Sequence, residues 1–268
     1  MAALISTKTQ SSPTIFFIPG AWHGPWVFDN VRSILSARGF ETEASSLATV
    51  GSTDPSVGLL SDAAKARSAL TTLIDDGKEV ILVAHSYGGI VASNAVEDLE
   101  IEQRISNGLT GGVVMILYVT AFAVRPNTNL LTAVGGHYAD WWDVSEDGFI
   151  TPINPVDIFY ADVEPSVAEK VIATIRPMPI NFINDASLYD PWNQGFEVGY
   201  IFAEEDHAIH ISAQKAMFAQ LPAGSFSASL RSSHSPFFSM PDALADAIQD
   251  AANYAIMKRS FKLIPNST

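Results

Sequence analysis

The sequence predicts an α/β protein with a mostly parallel, doubly wound sheet and an inserted, mainly helical cap. Continuous apolar runs without polar alternation predict strands that are covered on both faces. Helical patterns stand between successive strand patterns, as they do in parallel sheets flanked by helices. This alternation stops between residues 125 and 196, a segment rich in proline and aromatic residues. We therefore expect residues 1–124 and 197–268 to form the core and residues 125–196 to form a cap over the sheet edge.

Each predicted element follows from apolar periodicity and from the turn residues that bound it. Strands are predicted at 14–18, 40–46, 80–83, 113–121, 198–203 and 226–230. Helices are predicted at 27–38, 59–75, 91–99, 165–175, 212–220 and 243–257. The whole chain of 268 residues, 47% hydrophobic, is long enough to bury one large core.

Composition restricts the partners and the chemistry. A net charge of −14 argues against nucleic acid or an anionic membrane surface as partner, since both require clustered Lys and Arg. The absence of cysteine excludes disulfides, thiolate metal sites and a cysteine nucleophile. Residues 1–13 lack the pattern of a secretory signal. We therefore expect a cytoplasmic protein with no membrane association, and a homodimer is compatible with the sequence.

The segment around Ser86 carries the first sign of chemistry. A buried strand pattern runs into Ala84-His85-Ser86-Tyr87-Gly88-Gly89, and a helical pattern follows directly. Such a corner strains the backbone at the serine and leaves space only for small residues two positions to either side, which Ala84 and Gly88 provide. This is the geometry of the nucleophile elbow, here with alanine in the first glycine position. Ser86 is therefore a candidate nucleophile.

A serine hydroxyl needs a histidine to take its proton and a carboxylate to orient that histidine. His234 follows the strand at 226–230 by a short polar loop and is the candidate base. The preceding strand, at 198–203, runs into three acids, of which Asp206 is preferred because the turn must extend past the strand end to reach the histidine loop. Glu204 and Glu205 remain alternatives.

The loop after the first strand is the candidate oxyanion site. A tetrahedral intermediate needs two backbone N–H groups aimed at its oxyanion. We expect them from Tyr87, which follows the nucleophile, and from Ala21, which follows Gly20. His23 in the same loop is a candidate substrate contact; the alternative is that it braces the loop through hydrogen bonds. His85 is expected to be structural, because its side chain should point away from Ser86.

No cofactor is expected from the sequence. His207 and His210 stand three residues apart, but no third metal ligand accompanies them, so no metal site is predicted. The pair Gly88-Gly89 lacks the lysine and the further glycine of a phosphate-binding loop, and no dinucleotide fingerprint follows the first strand.

Taken together, these segments resemble the α/β-hydrolase superfamily. The narrower resemblance is to the branch of plant methylesterases, hydroxynitrile lyases and related bacterial and fungal esterases. It is carried by 17–26, by 84–89, by 200–206 and by Ser233-His234-Ser235-Pro236-Phe237. The resemblance covers the core and implies the α/β-hydrolase fold with a serine, histidine and aspartate triad.

Two departures from that branch bear on the reaction. Its cyanohydrin-cleaving members carry a threonine before the oxyanion residue and a lysine after the catalytic histidine, where this chain has Gly20 and Ser235. A lysine would stabilise departing cyanide, so its absence argues against lyase activity. The family also often has histidine where this chain has Pro19, which alters the oxyanion loop.

These observations predict a serine hydrolase that cleaves an ester of a small, fairly apolar molecule through an acyl-enzyme. Trp141, Trp142 and Phe159 are candidate substrate contacts, the alternative being that they form the ordinary core of the cap. Two other functions use the same residues. One is cleavage of a C–C bond, or rearrangement, in a polyketide-like ketone. The other is a ligand receptor with little turnover.

Overall fold

A computed structural model describes residues 12–262 of the chain. Its centre is a six-stranded sheet in which every neighbouring pair of strands is parallel. In chain order its strands are β1 (Thr14–Ile18), β2 (Thr42–Ala44), β3 (Glu79–His85), β4 (Gly112–Val119), β8 (Val198–Ala203) and β9 (Phe226–Leu230). Their order across the sheet is β2-β1-β3-β4-β8-β9. The order in which strands are added thus reverses between β1 and β3, and the carboxyl ends of β3, β8 and β9 lie at the same edge of the sheet.

Helices cover both faces of this sheet. They are α1 (Asp29–Ala37), α2 (Leu59–Asp75), α3 (Gly88–Ala95), α4 (Ile101–Ser106), α9 (Ile211–Phe218), α10 (Pro236–Ser239) and α11 (Pro241–Lys262). Alternate strand residues face opposite layers. Ile15 and Phe17 of β1 pack with α1 and α11, whereas Phe16 and Ile18 pack with α2 and α3. All four are at most 2% exposed, which explains why β1 shows no polar alternation.

The segment 125–196 lies between β4 and β8. It holds four short helices, α5 (Leu130–Ala133), α6 (Pro155–Phe159), α7 (Pro165–Ile172) and α8 (Asn181–Asn184). It also holds a three-stranded antiparallel sheet of β5 (Trp142–Val144), β6 (Phe149–Pro152) and β7 (Met178–Pro179). This small sheet was not predicted, since strands of two to four residues leave no periodicity to detect. We call the segment 125–196 the cap segment below.

The predicted elements of the core are all present, several of them with bounds that differ by a few residues. The helix after the elbow ends at Ala95 rather than near residue 99, because Asp98 takes a φ of 63°. Helix α4, which was not predicted, then begins at Ile101. No helix within residues 12–262 is long and apolar enough to cross a membrane. Most of the segment inspected for a secretory signal, and residues 263–268 of the predicted core, lie outside the described residues.

Candidate active site

Ser86 occupies a strained turn between β3 and α3. Its φ of 54° lies in the left-handed region, which costs an L-residue free energy. The loop after β1 passes so close that a Cβ on Gly20 would stand 2.9 Å from the Ser86 Cβ. A Cβ on Gly88 would stand 2.5 Å from the carbonyl oxygen of Pro19. Glycine is therefore required at both positions, and the turn holds Ser86 partly exposed at the carboxyl end of the sheet.

Asp206 and His234 form a buried pair. The Asp206 Oδ2 lies 2.7 Å from the His234 Nδ1, and both residues are 2% exposed. The same Oδ2 accepts a hydrogen bond from the Thr120 hydroxyl. The backbone N–H groups of Ala208 and Ile209 donate to Oδ1 over 2.7 and 2.9 Å. Together these hydrogen bonds fix the orientation of the Asp206 carboxylate. The contact with Nδ1 leaves the other ring nitrogen of His234, Nε2, available to take a proton.

The structure distinguishes the three acids that follow β8. Asp206 contacts His234, whereas Glu205 points to the surface and lies 2.6 Å from the Arg231 Nε. Glu204 is exposed. Of these three carboxylates, Asp206 therefore has the position that the sequence argument assigned to the acid.

His85 connects the serine turn to the histidine loop. Burial lowers the pKa of His85 well below its usual value, so the ring is neutral. Its Nε2–H donates to the carbonyl oxygen of His234 over 2.9 Å, and the two rings lie 4.6 Å apart. The side chain of His85 therefore contacts the histidine loop. In the described part of the chain the Ser86 hydroxyl makes no hydrogen bond, and catalytic hydrogen bonds are often long until substrate binds.

Ala21 and Tyr87 border the same cavity as Ser86. Neither backbone N–H donates a hydrogen bond to another residue within 12–262. The next N–H along the loop, that of Trp22, is engaged by the Met178 sulfur at 2.8 Å. Two unpaired donors thus stand beside Ser86, as an oxyanion site requires.

His23 braces the oxyanion loop against the cap segment. Burial lowers its pKa to about 4, so the ring is neutral. The contact of 2.6 Å with the Ala21 carbonyl oxygen puts the proton on Nδ1, and Nε2 accepts from the Tyr160 hydroxyl at 2.5 Å. Both ring nitrogens are occupied, and His23 does not border the cavity. Of the two alternatives for this histidine, the geometry favours the brace.

Asp62 supports the site from below and was missed in the sequence. Its fully buried carboxylate accepts from the Tyr87 hydroxyl at 2.8 Å and from the Thr49 hydroxyl at 2.7 Å. Burial raises the pKa of Asp62, and these bonds oppose that effect. The sequence contained one sign of this role. Leu59, Asp62 and Ala66 are spaced so that they share one face of helix α2, which puts an acid on the buried face.

The cavity over Ser86 has aromatic walls. The three predicted cap residues, Trp141, Trp142 and Phe159, all border it. Their rings interlock, because Trp141 meets Trp142 edge-on at 5.5 Å and Phe159 edge-on at 5.3 Å. The Nε1–H of Trp142 is buried and has no partner among the described residues. Within 12–262, no group of three or more acids or histidines is arranged to hold a metal ion.

A serine at a strained strand-to-helix turn, with an acid and a histidine that follow two later strands of the same sheet, defines the α/β-hydrolase class. The chain belongs to the alpha/beta hydrolase family, whose profile matches residues 15–247.

Relatives extend over nearly the whole chain. An alpha/beta hydrolase of Aspergillus novofumigatus, nvfD, is 27% identical and aligns with 91% of this chain and 98% of its own. Methyl jasmonate esterase 1 of Vitis vinifera is 24% identical over 87% of this chain and 94% of its own. The crystal structure of tomato methylketone synthase I with 2-tridecanone superposes with a TM-score of 0.72 at 18% identity. It covers 91% of this chain and 99% of that one, and at this identity it shows a shared fold alone.

Proposed function

We propose that the protein is a serine esterase with Ser86 as nucleophile, His234 as general base and Asp206 as its orienting acid. The observation that carries the proposal is the buried 2.7 Å contact between Asp206 and His234. It lies at the same carboxyl edge of the sheet as the strained Ser86. The carboxylate fixes the tautomer of His234, with the Nδ1 proton bonded to Asp206 and Nε2 unprotonated. A histidine held in this way is prepared to take a proton from a hydroxyl.

In the first half of the reaction, the Ser86 oxygen attacks the acyl carbon while its proton passes to His234. The negative charge on the former carbonyl oxygen is stabilised by the N–H groups of Ala21 and Tyr87. Neither group has a partner among residues 12–262, which supports this role. Collapse of the intermediate breaks the ester C–O bond. His234 returns the proton to the departing alcohol, which leaves an acyl group on Ser86.

In the second half, water attacks the acyl carbon and gives its proton to His234. The same two N–H groups stabilise the second oxyanion. The bond to Ser86 then breaks, the proton returns to the serine oxygen, and a carboxylic acid leaves. The sum is one ester and one water converted to one acid and one alcohol.

The substrate is proposed to be a small, fairly apolar ester. The aromatic walls of the cavity support this, since they offer few polar partners. The similarity to a protein named methyl jasmonate esterase also supports ester chemistry. The residue after His234 is Ser235, which has no positive charge to stabilise a departing cyanide ion.

Hydrolysis of p-nitrophenyl acetate, followed by release of p-nitrophenolate, tests the proposal. We expect Ser86→Ala to lower kcat by about 10³-fold or more, because the nucleophile is lost. The matched control is Ser260→Ala at an exposed position of α11, which should keep wild-type activity. Mass spectrometry of quenched wild-type protein should find one acetyl group on Ser86. Undiminished hydrolysis by Ser86→Ala would refute the mechanism.

The same assays separate the two other functions. A single burst of product followed by almost no turnover would indicate a ligand receptor. Consumption of β-diketones in preference to esters, with the products identified by mass spectrometry, would indicate cleavage of C–C bonds.

A further inference from the structure

The cavity over Ser86 is too small for the substrate that the chemistry requires. Its volume is about 30 Å³. One water molecule needs about 10–15 Å³ measured in the same way, so this space holds about two waters. Pockets that bind organic ligands measure roughly 300–1,000 Å³. The ester carbonyl can therefore reach Ser86 only if the rest of the substrate lies elsewhere.

A second pocket adjoins this cavity. It is open to solvent, has a volume of about 280 Å³ and is lined mainly by apolar side chains. Its lining includes the small side chains of Ala133, Ala213 and Ala216. It also includes Arg125 and Gln220, whose side chains are hydrogen bonded to each other at 3.0 Å. We call the space over Ser86 the inner cavity and this one the outer pocket.

The two spaces share one wall. Phe122 borders both of them. Helix α5 also borders both, and so does the segment that includes helix α9 and the residues just before it. Leu130 and Ala208 face the inner cavity, while Ala133 and Ala216, from the same two regions, face the outer pocket. The outer pocket therefore continues the inner cavity on the far side of a single side chain.

Phe122 differs from the other aromatic walls of the inner cavity in its ring contacts. The other aromatic residues around the inner cavity are each in contact with a neighbouring ring, as Trp22 is with Trp141, Phe159 and Phe182. The ring of Phe122 makes no such contact with any described residue. Its backbone is fixed, since its N–H donates to the Ser86 carbonyl oxygen at 3.0 Å. Rotation of this one side chain would join the two spaces without moving the serine turn.

We propose that the outer pocket is a subsite for an apolar arm of the ester, with Phe122 as the movable wall between that arm and Ser86. The inference rests on the proposed esterase function and specifies its substrate class. That class is an ester with one short side, which fits the inner cavity, and one extended apolar side, which fills the outer pocket.

The test fills the outer pocket from its solvent side. Ala216 is exposed on α9, so Ala216→Trp adds bulk to the pocket without disturbing the core. Two substrate series are used: p-nitrophenyl esters from acetate to octanoate, and alkyl acetates from ethyl to octyl. We expect Ala216→Trp to lower kcat/KM for the octyl member of one series by about tenfold or more, and to leave the acetate and ethyl members unchanged. The affected series identifies whether the acyl or the alcohol side occupies the outer pocket.

The matched control is Ala219→Trp, which puts the same side chain on the exposed residue directly after α9, outside the pocket, and should behave as wild type. Phe122→Ala should act in the opposite direction and raise the preference for the octyl member over the shortest member, in the same series that Ala216→Trp affects. Unchanged chain-length dependence in both series for Ala216→Trp would overturn the inference, even with Ser86-dependent hydrolysis intact.

A binding measurement keeps the two proposals separable. 2-Decanone mimics the carbonyl and one long arm of an ester and cannot be hydrolysed. Calorimetric titration should give a Kd about tenfold weaker for Ala216→Trp than for wild type and Ala219→Trp. Equal Kd values in all three would overturn the subsite. A failure of wild type to hydrolyse any ester would overturn the proposed function and leave this binding result to decide the subsite.

Discussion

Different interactions fix the side chains at the carboxyl edge of the core sheet and those of the cap segment. At the sheet edge, Asp206 is directed by four hydrogen-bonding groups: the Thr120 hydroxyl, the His234 ring and two backbone N–H groups. His85 and His23 each bond a backbone carbonyl oxygen.

 In the cap segment, the cavity walls are held mainly by ring-to-ring contacts, as between Trp141 and Phe159. Hydrogen bonds depend on the orientation of the two groups, whereas apolar contacts depend on the size and fit of the side chains. We therefore expect the catalytic rate to depend on single polar atoms and the range of substrates to depend on side-chain volume.

The largest effect should come from one atom at the sheet edge. Asp206→Asn keeps the size of the side chain but replaces a carboxylate oxygen by an amide, so His234 loses the partner that fixes its tautomer. We expect kcat for p-nitrophenyl acetate to fall by about 10³–10⁴-fold. Glu205→Gln is the matched control in the same loop, where the acid is exposed, and should retain activity. The reverse ranking of the two variants would assign the acid to Glu205.

The next largest effect should come from volume in the cap segment. Phe159 is 2% exposed, and its ring lies 5.3 Å from that of Trp141, 5.7 Å from Trp22 and 5.6 Å from His234. Phe159→Ala should lower the free energy of unfolding by about 3–5 kcal/mol, measured by urea denaturation. The control is Phe261→Ala, at a residue 67% exposed, where we expect a change within about 0.5 kcal/mol. Similar losses in both variants would show that the aromatic cluster does not hold the cap segment.

The same contrast explains how far the sequence could be interpreted. The strands at 14–18, 198–203 and 226–230 were predicted to the residue, because uninterrupted apolar runs between turn residues leave little choice. The placement of Ser86, Asp206 and His234 followed from the rule that polar groups gather at the carboxyl ends of parallel strands. These features depend on local pattern and on topology.

What could not be predicted depends on distant packing. The strand β7 is two residues long and contains Pro179, so nothing local marks it as a strand. The contact of Asp62 with Tyr87 joins residues 25 positions apart, and the sequence shows only that the acid is on a buried helix face. The size of the inner cavity depends on how several aromatic rings meet, which no pattern encodes.

His23 lies where the two regions meet and should make the protein sensitive to acid. Its pKa is about 4 in the folded protein against 6.5 ordinarily, so between pH 6.5 and 4 the unfolded chain binds a proton that the folded chain does not. The contribution of neutral His23 to the free energy of unfolding is fully present above pH 6.5. It falls as the pH is lowered, and the loss reaches about 3 kcal/mol at pH 4.

His23→Gln should therefore flatten the dependence of the unfolding free energy on pH across this window, with a lower stability at pH 7 because the brace is altered. His137→Gln is the control, since His137 is exposed. His85, whose pKa is also lowered by burial, contributes with the same sign and stays in both variants. Equal pH slopes in His23→Gln and His137→Gln would contradict the assignment.

The smallest effect should come from a polar contact that crosses between the two regions at the surface. His207, after β8, lies 3.4 Å from the carboxylate of Asp157 in α6, and its Nδ1 lies 2.9 Å from the carbonyl oxygen of the same residue. The two side chains are 50% and 58% exposed, so water competes for both. A double-mutant cycle with His207→Gln and Asp157→Asn, measured by urea denaturation, should give a coupling free energy of at most about 1 kcal/mol. A coupling as large as the loss expected for Phe159→Ala would mean that a charge contact, rather than ring packing, holds the cap segment to the core. Because water screens exposed charges and leaves buried ring contacts intact, we expect the ring packing to dominate.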